Sequence, residues 1–225
     1  MVVFMVLLTI AAFLLLDWYL VRRRNRVHAV SPDSRTAYAD AGPPVPSVAD
    51  LFFHPGHTWV RVAPDGLLSI GVSDFAAHFA GKLADVELPR EGTSLGQGEP
   101  AWTLVSKGQR RLPQVMPVEG KVLEVNRELL RDPQMLQRSP YLNGWVLKAR
   151  ASRLGESLRN LLHGRAAETW LDGSKSGITS RLSPALGALA QDGGEWVAAF
   201  GDLLPDEEWE KLRKEHFPTD TAEKE

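Results

Sequence analysis

The chain has 225 residues, with 26 Lys and Arg against 28 Asp and Glu and a formal net charge of −2 at pH 7. That length fits one medium domain with appendages, and that charge gives no general case for nucleic acid as a partner. With no cysteine in the chain, a disulfide framework, a thiol nucleophile and cysteine-bound metal are excluded.

Met1–Leu16 is apolar except for Thr9, and Asp17, Trp18, Tyr19, Leu20 and Val21 follow before the basic run Arg22-Arg23-Arg24-Asn25-Arg26. As a helix, Met1–Val21 would reach about 31 Å, close to the hydrocarbon thickness of a bilayer. Trp18 and Tyr19 suit the headgroup level, and the arginines mark the cytoplasmic side. A cleaved signal peptide is disfavoured, because the positive charge follows the apolar run and does not precede it. The expectation is a single-pass anchor over residues 1–21 in the inner or plasma membrane, N-terminus outside and main domain cytoplasmic. Residues 22–50, rich in proline and without apolar period, read as a linker.

Thr58–Val62 and Leu67–Val72 read as paired strands around a Pro64-Asp65-Gly66 turn. His54 and His57 precede them; with no third ligand at readable spacing, a capped turn beside a buried Trp59 is favoured over a metal pair. Ser73–Phe79 reads as a short helix capped by Ser73, with Phe75 and Phe79 on one face. Lys82–Leu88 is a strand, and Pro89–Gly98 a glycine-rich loop. Ala101–Val105 and Gln114–Val125 flank a turn, Lys107–Pro113, which holds Gly108, Pro113 and three basic residues and so is no central strand. Arg127–Arg131 is a helical turn and Trp145–Ala149 a closing strand. Arg153–Leu171 reads as a helix with Leu154, Leu158, Leu161, Leu162 and Trp170 on one face. Asp172–Thr179 reads as a polar, glycine-containing linker, Ser183-Pro184 as a helix start, and Pro205-Asp206-Glu207-Glu208 as the start of a last helix that turns Trp209 and Leu212 inward. No serine–histidine–acid set, phosphate loop or dinucleotide glycine pattern is visible.

Pro117-Val118-Glu119-Gly120-Lys121-Val122, followed by Glu124-Val125-Asn126, resembles the half-motif after the attachment hairpin of lipoyl and biotinyl carrier domains. The flanks narrow this to the H protein of the glycine cleavage system: His57-Thr58-Trp59, Gly71–Ala76 and Gly81 to Gly92 upstream; Asn126–Leu130, Asp132-Pro133 and Pro140–Trp145 downstream. The resemblance covers about Leu51 to Leu171. It implies a mainly β fold, a lipoyl-carrier-like barrel-sandwich hybrid with short helices, here preceded by one transmembrane helix and followed by a helical extension. The domains are then 1–21 anchor, 22–50 linker, 51–172 carrier-like domain and 173–225 extension, which is expected to pack on the domain.

In that family the hairpin tip carries Glu-Ser-Val-Lys-Ala, and the lysine is amide-linked to lipoic acid. Counting back from Pro117 puts Gln109 at the lysine position, and counting forward from Gly98 puts Gly108 there. Glutamine has no nucleophilic nitrogen to acylate. Lys107, the only lysine in the turn, stands one or two residues early. Three readings of the turn remain open: lipoate on Lys107; a docking patch at Arg110 and Arg111 for an acidic partner or anionic lipid, worth about 1 kcal/mol per basic residue; and a solvated loop. The reading the residues favour is a non-lipoylated, membrane-tethered, non-catalytic adaptor with an unidentified protein partner at the hairpin tip and no cofactor. The alternative is a lipoyl carrier working through Lys107.

Overall fold

The structure is a computed structural model and describes residues 47–186 and 199–217, excluding the side chains of 179–186. The expected anchor over residues 1–21 and nearly all of the expected linker lie outside the described residues. Among the described residues, no helix is long and apolar enough to cross a membrane.

The linker reading extends too far. Ser47 to Asp50 form a capped 3-10 turn in which the Ser47 hydroxyl accepts the Ala49 N–H (3.2 Å) and the Asp50 carboxylate accepts the Ser47 N–H (3.2 Å). From there the chain builds two antiparallel sheets. The larger contains β1 (Phe52–Phe53), β2 (Thr58–Val62), β3 (Leu68–Val72), β5 (Ser94–Leu95), β8 (Gly120–Val125), β9 (Trp145–Ala151) and β10 (Leu162–His163), in the order β10-β1-β2-β3-β9-β8-β5. The smaller contains β4 (Leu83–Glu87), β6 (Pro100–Ser106) and β7 (Arg111–Val115), with β6 in the middle. Ile70, Val72, Val122 and Leu147 from one sheet share a core with Leu83, Val86, Leu104 and Leu112 from the other. The fold is therefore a mainly β sandwich, as the resemblance implies.

The local chemistry follows the sequence in several places. The β2–β3 turn closes with Gly66 at φ +78°, a conformation that favours glycine. Ser73 caps α1 (Asp74–Phe79), its hydroxyl accepting the Ala76 N–H at 3.2 Å. Pro113 sits within β7 and not before it. It is tolerated there because β7 is an edge strand.

The stretch Arg153–Leu171 is not one helix. It divides into α3 (Leu154–Leu158), β10, and the start of α4 (Arg165–Leu186), with Gly164 at φ +57° between the last two. A single-residue conformation of that kind ends a strand and reopens the chain for a helix. Nor is Asp172–Thr179 a linker, because α4 runs through it. Tertiary contacts override its two glycines: Ile178 is fully buried, and Lys175 pairs with Asp74 on α1 at 2.8 Å. A short α2 (Met135–Arg138) was not anticipated.

The last described segment, Ala199–Phe217, holds a 3-10 turn (Phe200–Leu203) and α5 (Asp206–His216). It packs on the sandwich as expected. Phe200, Leu204, Trp209, Leu212 and Phe217 are all buried in the main core. The acids Asp206, Glu207 and Glu208 open α5 and Arg213, Lys214 and His216 close it, each where the helix dipole favours that sign.

Candidate functional site: the hairpin tip

The β6–β7 hairpin turns through Lys107, Gly108 and Gln109. The Gln109 N–H donates to the Ser106 carbonyl and the Ser106 N–H donates to the Arg110 carbonyl, both at 3.0 Å. Gln109 is left-handed at φ +65°, whereas Gly108 is not among the residues of positive φ. This is a three-residue loop: a type I turn with Lys107 at its first corner, closed by a left-handed residue in a bulge. The buried Ser106 hydroxyl accepts the Arg110 N–H (3.1 Å), and the Lys107 N–H donates to the Lys82 carbonyl (2.7 Å), so the turn is tied to β6 and to the entrance of β4.

The two candidate positions are therefore unlike. Gln109 is the bulge residue, exposed, with an amide that cannot be acylated. Lys107 is an exposed primary amine at the corner of a protruding turn. Register shifts between Pro100 and Trp102, so β6 carries one residue more than β7 over that stretch. That surplus favours the count from Pro117, which lands on Gln109. An amide-linked cofactor thus does not fit at Gln109. Lys107 has the chemistry and the exposure for one, at a shifted position.

Arg110 and Arg111 do not stand side by side as two free cations. Arg110 is turned under the tip, with its side chain only 19% exposed. Its guanidinium donates to the Gly201 carbonyl (2.6 Å), the Leu204 carbonyl (2.7 Å) and the Asp206 carboxylate (2.6 and 3.1 Å), and lies 5.6 Å from the Trp209 ring centre. Arg111 extends along the small sheet to an ion pair with Glu87. The bond from Arg111 holds the Glu87 carboxyl below the usual carboxylate range. Both arginines thus have partners within the chain, where one reading of the sequence offers them to an outside ligand.

Beside the tip, α1 ends in carbonyls that its own turns cannot satisfy. Gln137 donates to the Ala77 carbonyl (2.9 Å), and the Trp209 indole donates to the Phe79 carbonyl (3.1 Å). Gly201 lies so close that a Cβ there would be 1.9 Å from the Phe79 oxygen. Asp202 accepts the Lys82 N–H at 2.8 Å. None of Gly201, Asp202 or Asp206 was singled out from sequence as a partner of the hairpin. Arg110 and Asp206 are separated by 96 positions, and no periodicity links them.

Behind α1, His57 is fully buried, its ring stacked between Phe75 (4.3 Å between centroids) and Trp170 (4.4 Å). Its Nδ1 lies 3.2 Å from the Ser73 hydroxyl, while Nε2 is without a hydrogen-bond partner. Burial, aided by nearby His216, pushes the imidazole pKa well below its ordinary value, against a smaller pull from Asp74. Burial pushes the Asp74 carboxyl up. Lys175, Tyr141 and the Phe75 N–H outweigh it and hold the group below the usual range. His54 caps a turn, its Nδ1 accepting the Gly56 N–H at 3.0 Å.

Known proteins resemble this chain over the domain that bears the hairpin. The family model described as glycine cleavage H-protein matches residues 51–173. The chain is 34% identical over 123 residues to the probable glycine cleavage system H protein of Thermococcus gammatolerans, an alignment spanning 54% of this chain and 90% of that one. It is 36% identical over 122 residues to the glycine cleavage system H protein of Vibrio vulnificus, spanning 54% and 93%. A crystal structure of a glycine cleavage system H protein from Mycobacterium marinum aligns at 26% identity with a TM-score of 0.44, covering 46% of this chain and 85% of that one. Through residues 51–173, more than half its length, the chain belongs to the glycine cleavage H-protein family.

Proposed function

We propose that this protein is a membrane-tethered H-protein-like binding module that carries no lipoate and catalyses no reaction, its hairpin serving as the grip for a protein partner. The observation that carries this reading is the left-handed, non-acylatable Gln109 at the position where the family's lysine is expected. The tether is the apolar Met1–Val21 stretch followed by arginines, which would hold the domain at the cytoplasmic face of the inner or plasma membrane. Intact mass of the protein purified from its native cells tests it. The expected mass is that of the unmodified chain.

The exposed corner position of Lys107 favours a second reading, a lipoyl carrier displaced by two residues. It requires a mass increase of one lipoyl group, lost in Lys107→Arg and retained in Gln109→Ala. A lipoylated native protein would replace the adaptor reading with this one.

A further inference from the structure

We infer that Ala199–Phe217 is a latch on the hairpin, with Arg110 as its catch, and that it must open before an acidic partner can pair with Arg110. The inference deepens the adaptor reading and rests on it for the identity of what is gated.

Three observations carry it. First, the segment occupies one of the hairpin's two guanidinium groups, a group suited to a carboxylate partner. Four of the five N–H donors of the Arg110 guanidinium are taken by Gly201, Leu204 and Asp206, and Trp209 roofs it. A planar guanidinium with four donors already paired has no free fork for the bidentate grip of an incoming carboxylate. Second, the segment is coupled to the tip through one residue. Lys82 gives its N–H to Asp202 and its carbonyl to the Lys107 N–H, so the latch and the turn corner share a peptide anchor. Third, the segment adds no strand to either sheet. It docks by ring packing, with Trp209 stacked on Phe79 (5.3 Å) and Phe217 on Phe79 (5.0 Å), and by side-chain bonds. Because it shares no ladder with the sheets, its opening breaks no strand pairing and costs the burial of Phe200, Leu204, Trp209, Leu212 and Phe217.

Hydrogen exchange read by peptide mass spectrometry on the full chain tests this with two variants. Arg110→Gln removes the catch. Gly201→Ala leaves Arg110 in place and drives a Cβ into the Phe79 carbonyl. In both, the amides of Trp209–His216 are expected to exchange about tenfold faster, with β2, β3 and β9 unchanged. Trypsin must draw the Arg110 side chain into its own pocket, so it serves as a probe of the freed hairpin. Cleavage after Arg110 is expected to be about tenfold faster in Gly201→Ala than in the unsubstituted chain. Unchanged α5 exchange, equal loss of protection in sheet and α5, or unaltered cleavage after Arg110 would each overturn the latch. None of these readouts depends on lipoylation, so they fail or succeed separately from the mass measurement.

Discussion

Trp59→Ala is expected to destabilise the fold by about 3–5 kcal/mol, among the largest losses available to a single substitution in this chain. Trp59 is fully buried on β2. Its ring packs with Leu51, Phe53, Ala167 and Leu171, a cluster that joins the start of the domain to α4. The indole N–H donates to the Val72 carbonyl at 2.9 Å, so truncation removes that bond as well as the ring volume. The cavity could not collapse readily. The β2–β3 register sets Trp59 against Gly71, and the ring fills the space where a Gly71 side chain would stand, 2.6 Å from a Cβ there. Gly71→Ala should therefore also destabilise, by about 1–3 kcal/mol through overpacking. Denaturant unfolding measures both as a lowered midpoint at constant slope. A loss below about 1 kcal/mol for Trp59→Ala would mean that the cluster is not a cooperative part of the domain.

The parts legible in the sequence are those where local chemistry and global packing agree. Pro64-Asp65-Gly66 names a turn, and the strands on either side pair around it. Ser73 before an apolar i, i+4 pair names a helix start, and Phe75 and Phe79 stack as that spacing requires. The family motif located the hairpin, which β6 and β7 form. What was not legible depends on distance. Asp172–Thr179 reads as a linker because Gly173 and Gly177 lower helix propensity, yet Lys175 is held by Asp74, far upstream in the chain. The Leu154–Trp170 apolar face suggested one helix, but Leu162 and His163 pair with Phe53 and Phe52 to make a strand instead. Arg110 looked like a surface cation because its acceptors are mostly main-chain carbonyls, which leave no mark on composition.

Stability should fall as pH drops below about 6.5, with His57 setting the upper window and Asp74 a lower one. In the unfolded chain His57 takes up a proton near its ordinary value of 6.5, whereas in the fold burial holds its pKa well below that. Between those two values the unfolded state binds more protons, so stability rises with pH there and is lost on acidification, at up to about 1.4 kcal/mol per pH unit for this one group. Asp74 acts in the same direction lower down. Its folded pKa lies below the ordinary 3.8, so its contribution is full above that value and is lost as pH falls through the folded one. The first change should be felt by the rings around His57, because a charged imidazole between Phe75 and Trp170 and close to Phe217 and His216 has lost its water without gaining an acceptor at Nε2. His57→Asn isolates this group. His57 sits at φ +62°, a left-handed conformation that asparagine tolerates better than most residues, so the backbone is kept while the titration is removed. Urea unfolding at several pH values should show a slope in the unsubstituted chain between about pH 6.5 and 5 that is flattened in His57→Asn, with the Asp74 limb below about pH 4 common to both. Equal slopes in the upper window would mean that His57 is solvated and protonates freely in the folded state.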